Sequence, residues 1–254
     1  MSFSFTTVVA CDVRHCDQLA MVWPTWRRCK PEIAASPLLL VCDARAGGEA
    51  WWRRRLDWLD HADRRIVLWD WPRGEGIGRE AVTQRERMLT AFVHAPCKYV
   101  DTPYWLKIDT DTVATAAGPW YDPAWFAEAP ALVASPWGYT RPGVWIDQLE
   151  AWADRHAQLG LFEPLGLRVA SGAGAVRHRR LASWLCFVNT AWSRLAASYS
   201  PQRLPVPSQD TYHWYLAARR GDGIVRARMK NFGWASIHND RRRQWLVEQG
   251  AAGQ

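Results

Sequence analysis

No stretch of this 254-residue chain reaches the apolar length of a membrane-spanning helix, which needs roughly 18 or more such residues. The N-terminus lacks a basic leader, and its apolar run from Thr7 to Cys11 is too short for a signal peptide. These absences predict a cytoplasmic protein with no membrane anchor. The six cysteines, Cys11, Cys16, Cys29, Cys42, Cys97 and Cys186, form no Cys-x-x-Cys pair and show no zinc-ligand spacing, which argues against a zinc finger or a dithiol redox motif. Several lie inside apolar runs and read as reduced core thiols. A dinucleotide fingerprint is also missing. Gly74-Glu75-Gly76-Ile77-Gly78 has the wrong spacing, and Gly172-Ala173-Gly174 is followed by Arg177 where a third glycine belongs. With no internal repeat, low-complexity tract or composition break, one domain is the economical reading.

What is present is a chain fit for a packed core: 48% of residues are hydrophobic and 13% aromatic, including 18 tryptophans. Trp105, Trp184 and Trp214 sit in apolar surroundings that favour core packing. Trp137, Trp145 and Trp234, among Gly and Pro, are candidates for stacking on a base or sugar. The net charge of +7, carried mainly by arginine, favours contact with anions such as nucleotide phosphates or nucleic acid.

Strand and helix patterns alternate along the first hundred residues. Strands are expected at Phe5–Cys11, 37–42 and 65–69, with helices over 16–29, 51–62 and 80–94. A fourth apolar run, Tyr104-Trp105-Leu106-Lys107-Ile108, ends abruptly at Asp109-Thr110-Asp111. The second half predicts strands at 131–135 and 183–188, and helices at 144–159, 190–199 and 208–219. Continuous apolar strands separated by helices imply a mostly parallel sheet with helices on both faces. In such sheets ligands bind at the carboxyl ends of strands. Asp12, Asp43 and the Asp109/Asp111 pair all end strands, so three strands direct carboxylates to one rim. Strand alternation would turn Asp109 and Asp111, and Lys107 with them, to the same side. Paired carboxylates with free sites for phosphate oxygens suit Mg or Mn.

With this order of elements, the sequence resembles the GT-A fold of nucleotide-sugar glycosyltransferases. The resemblance covers most of the chain and rests on three segments. Leu106-Lys107-Ile108-Asp109-Thr110-Asp111 has the form of the family's Asp-x-Asp segment. Pro207-Ser208-Gln209-Asp210-Thr211 is similar to its later acidic motif, with Gln209 where Glu is usual. Phe232-Gly233-Trp234-Ala235-Ser236-Ile237-His238 is similar to the segment carrying a late metal-binding histidine. Ser171-Gly172-Ala173-Gly174 is similar in order and composition to the family's glycine-containing loop.

The resemblance implies an α/β fold in one domain: residues 1–112 as the nucleotide-sugar-binding half, 113–240 as the acceptor half, and 241–254 as a basic tail. It implies a Mn or Mg ion held by Asp109, Asp111 and His238, and a UDP- or GDP-sugar donor contacted by Asp12, Asp43, Arg85, Lys107, Asp109 and Thr110, with Arg87 as a supplementary cation. Asp210 takes the role of catalytic base, which predicts inversion at the anomeric carbon. Trp137, His213 and Trp234 are the expected acceptor contacts, and the acceptor itself is open, a modified base in nucleic acid being one choice.

Two other readings remain open at this level. A metal-dependent phosphodiesterase or nuclease would also use paired Asp, a histidine and excess arginine, although two-metal sites need more clustered carboxylates than this region offers. A non-enzymatic nucleic-acid or carbohydrate binder would use Arg53-Arg54-Arg55 beside Trp51, Trp52 and Trp58, together with Arg177-His178-Arg179-Arg180 and Arg241-Arg242-Arg243.

Overall fold

The computed structural model describes residues 3–69, 84–134, 185–199, 209–227 and 229–237, with 244 and 248. The first strand, β1 (Phe5–Cys11), is buried along its whole length. Asp12 then ends it and starts helix α1 (Val13–Cys29): its Oδ1 accepts the backbone N–H of His15 at 2.8 Å. That cap sets the helix start three residues before the first periodic apolar position at Cys16. A short helix α2 (Pro31–Ala35) opens on proline, whose missing N–H is no loss at a first helical turn.

Strand β2 (Leu38–Asp43) is fully buried, and helix α3 (Glu49–Arg55) follows. α3 is shorter than the 51–62 expected from sequence. Arg64 donates from Nη1 to the carbonyls of Leu56 and Leu59, taking up groups that a longer helix would have used. β3 (Arg64–Trp69), α4 (Gln84–Tyr99) and β4 (Tyr104–Ile108) complete the first half. β5 (Thr112–Ala114), β6 (Leu132–Ala134), β7 (Leu185–Asn189), α5 (Thr190–Tyr199), α6 (Gln209–Arg220), β8 (Ile224–Arg226) and β9 (Trp234–Ser236) form the second. The helix expected at 144–159 lies outside the described residues.

Seven strands form one sheet in the order β3-β2-β1-β4-β7-β6-β8, and β5 pairs with β9 in a separate ribbon. β1 runs parallel to β2 and β4, β2 to β3, and β6 to β8. β7 runs antiparallel to both β4 and β6, which makes the sheet mixed but mostly parallel. Alternation along each central strand sorts side chains to two apolar layers. Val9, Cys11, Leu106 and Ile108 join α1, Trp120 and Trp234 on one face, while Val8, Ala10 and Trp105 join Phe92, Trp192, Tyr212 and Trp214 from α4, α5 and α6 on the other. All six cysteines are free thiols. Burial pushes the thiols of Cys11, Cys16, Cys42 and Cys97 up, so they remain protonated and unreactive, in line with core packing. No helix among the described residues is long and apolar enough to cross a membrane.

The turn into β9 depends on a glycine. Gly233 has φ +74, and a Cβ there would lie 2.8 Å from the Ala116 carbonyl oxygen and 2.9 Å from its Cβ. Gly233→Ala is expected to destabilise the protein by about 2–3 kcal/mol, combining the left-handed backbone cost with a backbone clash. A urea-denaturation midpoint indistinguishable from wild type would refute this.

Candidate functional site

β1 and β2 are aligned with Cys11 opposite Cys42, so Asp12 and Asp43, each at the carboxyl-terminal end of its strand, occupy the same sheet rim. β4 is parallel to β1, with Lys107 opposite Val8, and it delivers Asp109 to that rim too. Asp109 and Asp111 do not continue the strand. Thr112 N donates to the Asp109 carbonyl at 3.0 Å, closing a tight turn, so strand alternation does not carry past Asp109.

Alternation does hold up to Asp109. Lys107 is almost wholly buried and its Nζ lies 2.8 Å from Asp109 Oδ1, while the Asp109 side chain stays 37% exposed. The ammonium also sits 5.5 Å from the centre of the Phe92 ring. Lys107 is thus an anchor beneath Asp109, its ammonium paired with the carboxylate.

Thr110 is turned inward and buried, its hydroxyl donating to Gln18 Oε1 at 2.9 Å. This ties the tip of the acidic turn to α1 and leaves the backbone of Thr110 as its means of meeting a nucleotide. Asp12 and Asp43 are buried and engaged with backbone. Asp43 Oδ1 accepts the Arg45 N–H at 3.0 Å, and the Asp43 carbonyl accepts from Trp52 Nε1 at 3.0 Å. Burial opposes ionisation of Asp12, but hydrogen bonds from the side chain and backbone of His15 outweigh it and hold the carboxyl below its ordinary value. His15 Nδ1 lies 2.7 Å from Asp12 Oδ1. Both aspartates therefore shape the rim, capping a helix and a loop.

The ribbon of β5 and β9 joins Trp234–Ser236 to the acidic turn. Ala114 pairs with Trp234 and Thr112 with Ser236, and Ile237 N then donates to the Asp111 carbonyl at 3.0 Å. The residue after Ile237 in the sequence is His238, which lies outside the described residues. Among the described residues no three His, Cys, Asp or Glu side chains form a metal-binding group. The donor set on hand is two carboxylates at a partly exposed turn, which matches a hard divalent ion completed by phosphate oxygens and water.

Two of the expected acceptor contacts, His213 and Trp234, are buried. His213 is 2% exposed, enclosed by Trp105, Trp192 and Tyr212. Burial, with smaller contributions from His94 and Lys107, lowers its pKa to about 3. Trp234 is likewise 2% exposed and packs edge-on to Trp120 at 5.4 Å between ring centres. Both rings are packed into the core. Trp137 and Trp145 lie outside the described residues, as do the side chains of Arg85, Arg87 and Asp210; the backbone of Asp210 is in the first turn of α6.

The arginine run on α3 is largely neutralised. Arg53 pairs with Glu49 and Arg55 with Asp17, while Arg27 of α1 pairs with Asp60 at 3.3 Å. Trp52 is buried, and Trp51 and Trp58 pack against the core. This surface does not offer the exposed aromatic platforms a single-strand binder uses. The runs at 177–180 and 241–243 lie outside the described residues.

Sequence reasoning missed Lys30, Gln18 and the ribbon. A three-residue strand carries too few positions to show periodicity, and a lysine in a helix-to-helix junction reads as solvent-facing.

No protein-family model matches the chain, and no curated protein matches it in sequence. Solved structures do. The mannosyltransferase Ktr4p from S. cerevisiae aligns with a TM-score of 0.55 at 9% identity, over 83% of this chain and 66% of that one. Core-mannan synthase A from Aspergillus fumigatus, solved in a Mn/GDP form, aligns with a TM-score of 0.54 at 10% identity, over 91% and 69%. The 4-diphosphocytidyl-2C-methyl-D-erythritol synthase from Anaerococcus prevotii aligns with a TM-score of 0.52 at 9% identity, over 97% and 98%. A mostly parallel sheet with β4 ending in an acidic turn, and glycosyltransferases among its structural neighbours, give this chain the GT-A fold of nucleotide-sugar glycosyltransferases.

Proposed function

We propose that this protein transfers a sugar from a nucleoside-diphosphate sugar to an acceptor hydroxyl. The observation that carries the reading is the turn Asp109–Thr112, set at the rim where β1, β2 and β4 end and bonded through Asp111 to the segment preceding His238. Asp109, Asp111 and His238 would hold a Mn or Mg ion, whose contribution when bound is to stabilise charge on the departing diphosphate. Lys107 fixes the Asp109 carboxylate from below, so the turn presents its oxygens without reorganising. Asp210, at the start of α6, takes the proton from the attacking hydroxyl, which leads to inversion in a single displacement. The acceptor class is open. The paired arginines of α1 and α3 weigh against a polyanion on that face.

A second reading is nucleotidyl transfer, favoured by the synthase whose structure matches over nearly its whole length. The two differ in their small product: sugar transfer or donor hydrolysis releases a nucleoside diphosphate, and nucleotidyl transfer releases pyrophosphate. The test is a screen of UDP- and GDP-sugars with Mn, alongside nucleoside triphosphates with sugar or polyol phosphates. Release of UDP or GDP by the wild type is the expected result. Asp210→Asn is expected to bind the same donor with unchanged affinity and to lose acceptor transfer by about a hundredfold. Pyrophosphate release from a triphosphate, with every nucleotide sugar left intact, would replace this reading with the second.

A further inference from the structure

The junction of α1 and α2 buries a cation that the site described above leaves unused. Lys30 is 0% exposed. Its Nζ donates to the Phe232 carbonyl at 2.7 Å and to the Gly118 carbonyl at 3.4 Å, and it lies 5.5 Å from the centre of the Trp234 ring. Among the described residues its hydrogen-bond acceptors are carbonyls, and Glu32 acts on it through its charge. Burial lowers its pKa, as expected for an ammonium taken out of water. Such a group is costly to bury, and Met or Leu would fill the same space without that cost.

What Lys30 touches explains its use. Phe232 leads through Gly233 into β9, and Gly118 lies four residues after the end of β5. The same end of α1 holds β5 directly: Trp26 Nε1 donates to the Thr112 carbonyl at 2.8 Å, and Thr25 Oγ1 accepts from Ala114 N at 3.2 Å. Helix α1 therefore grips β5 by two side chains, and its cap residue Lys30 grips the approach to β9. The product of that grip is the register of the ribbon, and the ribbon ends at the hydrogen bond from Ile237 N to the Asp111 carbonyl.

We infer that Lys30 is a positioning residue of the acidic turn: by fixing β9 against β5 it sets the place of Asp111. The inference rests on the glycosyltransferase reading and deepens it. Lys30 touches neither ligand nor reacting atoms, and acts only through the ribbon.

The test uses the full chain with Mn and UDP or GDP, reading free Mn by electron paramagnetic resonance. Lys30→Met keeps the length of the side chain and leaves the Phe232 carbonyl without its donor. It is expected to raise the Mn dissociation constant by about tenfold or more, the scale seen when groups supporting a metal's ligands are removed. Lys30→Gln, which retains a donor, is expected to fall between Lys30→Met and wild type, and it carries the test if Lys30→Met does not fold. Val67→Ala, in the edge strand β3 away from the ribbon, serves as a control for general destabilisation and is expected to bind Mn within about twofold of wild type. Wild-type Mn affinity in Lys30→Met and Lys30→Gln, or an equal loss in Val67→Ala, overturns the role of Lys30 alone. A wild type that binds no Mn with any nucleotide overturns the functional reading and this inference with it.

Discussion

Asp111→Asn is expected to lower donor turnover by a factor of about 10²–10³, equivalent to roughly 3–4 kcal/mol of transition-state stabilisation, while leaving the fold nearly as stable as wild type. The substitution keeps the size of the side chain and removes one negative charge from the proposed ion site. The backbone hydrogen bond from Ile237 N to the residue 111 carbonyl does not depend on the side chain, so the ribbon keeps its attachment. Asp109→Asn is expected to differ. It should cost turnover on a similar scale, but it also deprives the buried ammonium of Lys107 of a carboxylate at 2.8 Å. Breaking a fully buried pair costs about 3–5 kcal/mol; with Asp109 37% exposed, solvent screening reduces the expected loss to about 1–2 kcal/mol. Steady-state kinetics at saturating Mn, paired with urea denaturation, separates the two variants. Wild-type turnover in Asp111→Asn would remove the acidic turn from the chemistry. Wild-type stability in Asp109→Asn would show that Lys107 does not depend on Asp109.

Those features were legible in the sequence to different depths. β1, β2, β3 and β4 fall within a residue of where their apolar runs put them; for β1, β2 and β4 a strand buried on both faces leaves an uninterrupted apolar signature, while the partly exposed edge strand β3 is marked by its Ile66–Trp69 run. The direction of β7 was not legible: Leu185–Asn189 is apolar in either orientation, and only its pairing with β4 shows it to be antiparallel. The strand ends that carry Asp12, Asp43 and Asp109 share one sheet edge, and Asp12 and Asp43 accept backbone N–H groups there, as short acidic side chains at strand ends often do. Tryptophans near glycine suggested exposed platforms. Trp234 shows why that signal fails: Gly233 supplies a left-handed turn that drives the next side chain into the core. The ribbon of β5 and β9 joins Thr112–Ala114 to residues more than a hundred positions later, a pairing that local pattern does not encode.

His213 gives the second large effect, in stability and not in turnover. In the folded protein its pKa is lowered to about 3, first by burial and then by His94 and Lys107. In the unfolded chain an imidazole titrates near 6.5. As pH falls from about 6.5 toward 3, the unfolded state binds a proton that the folded state refuses, so stability falls with pH throughout that window and is fully present only above it. The shift corresponds to a loss of roughly 2 kcal/mol at pH 5 and roughly 3 kcal/mol at pH 4 relative to pH 7. Ordinary carboxylates titrate lower, and the depressed Asp12 contributes lower still, so the upper part of the window belongs mainly to buried histidine. His94, also lowered by burial, adds to the same slope. His213→Phe keeps an aromatic ring against Trp105 and Trp192 and takes away two buried nitrogens that have no hydrogen-bond partner among the described residues. Among the described residues no partner is stranded by the change, so the variant is expected to be at least as stable as wild type at pH 7. Its urea midpoint should then fall by less than half as much between pH 7 and pH 5. A variant that keeps the full wild-type slope would mean that another group carries the acid sensitivity and that His213 can be protonated in place.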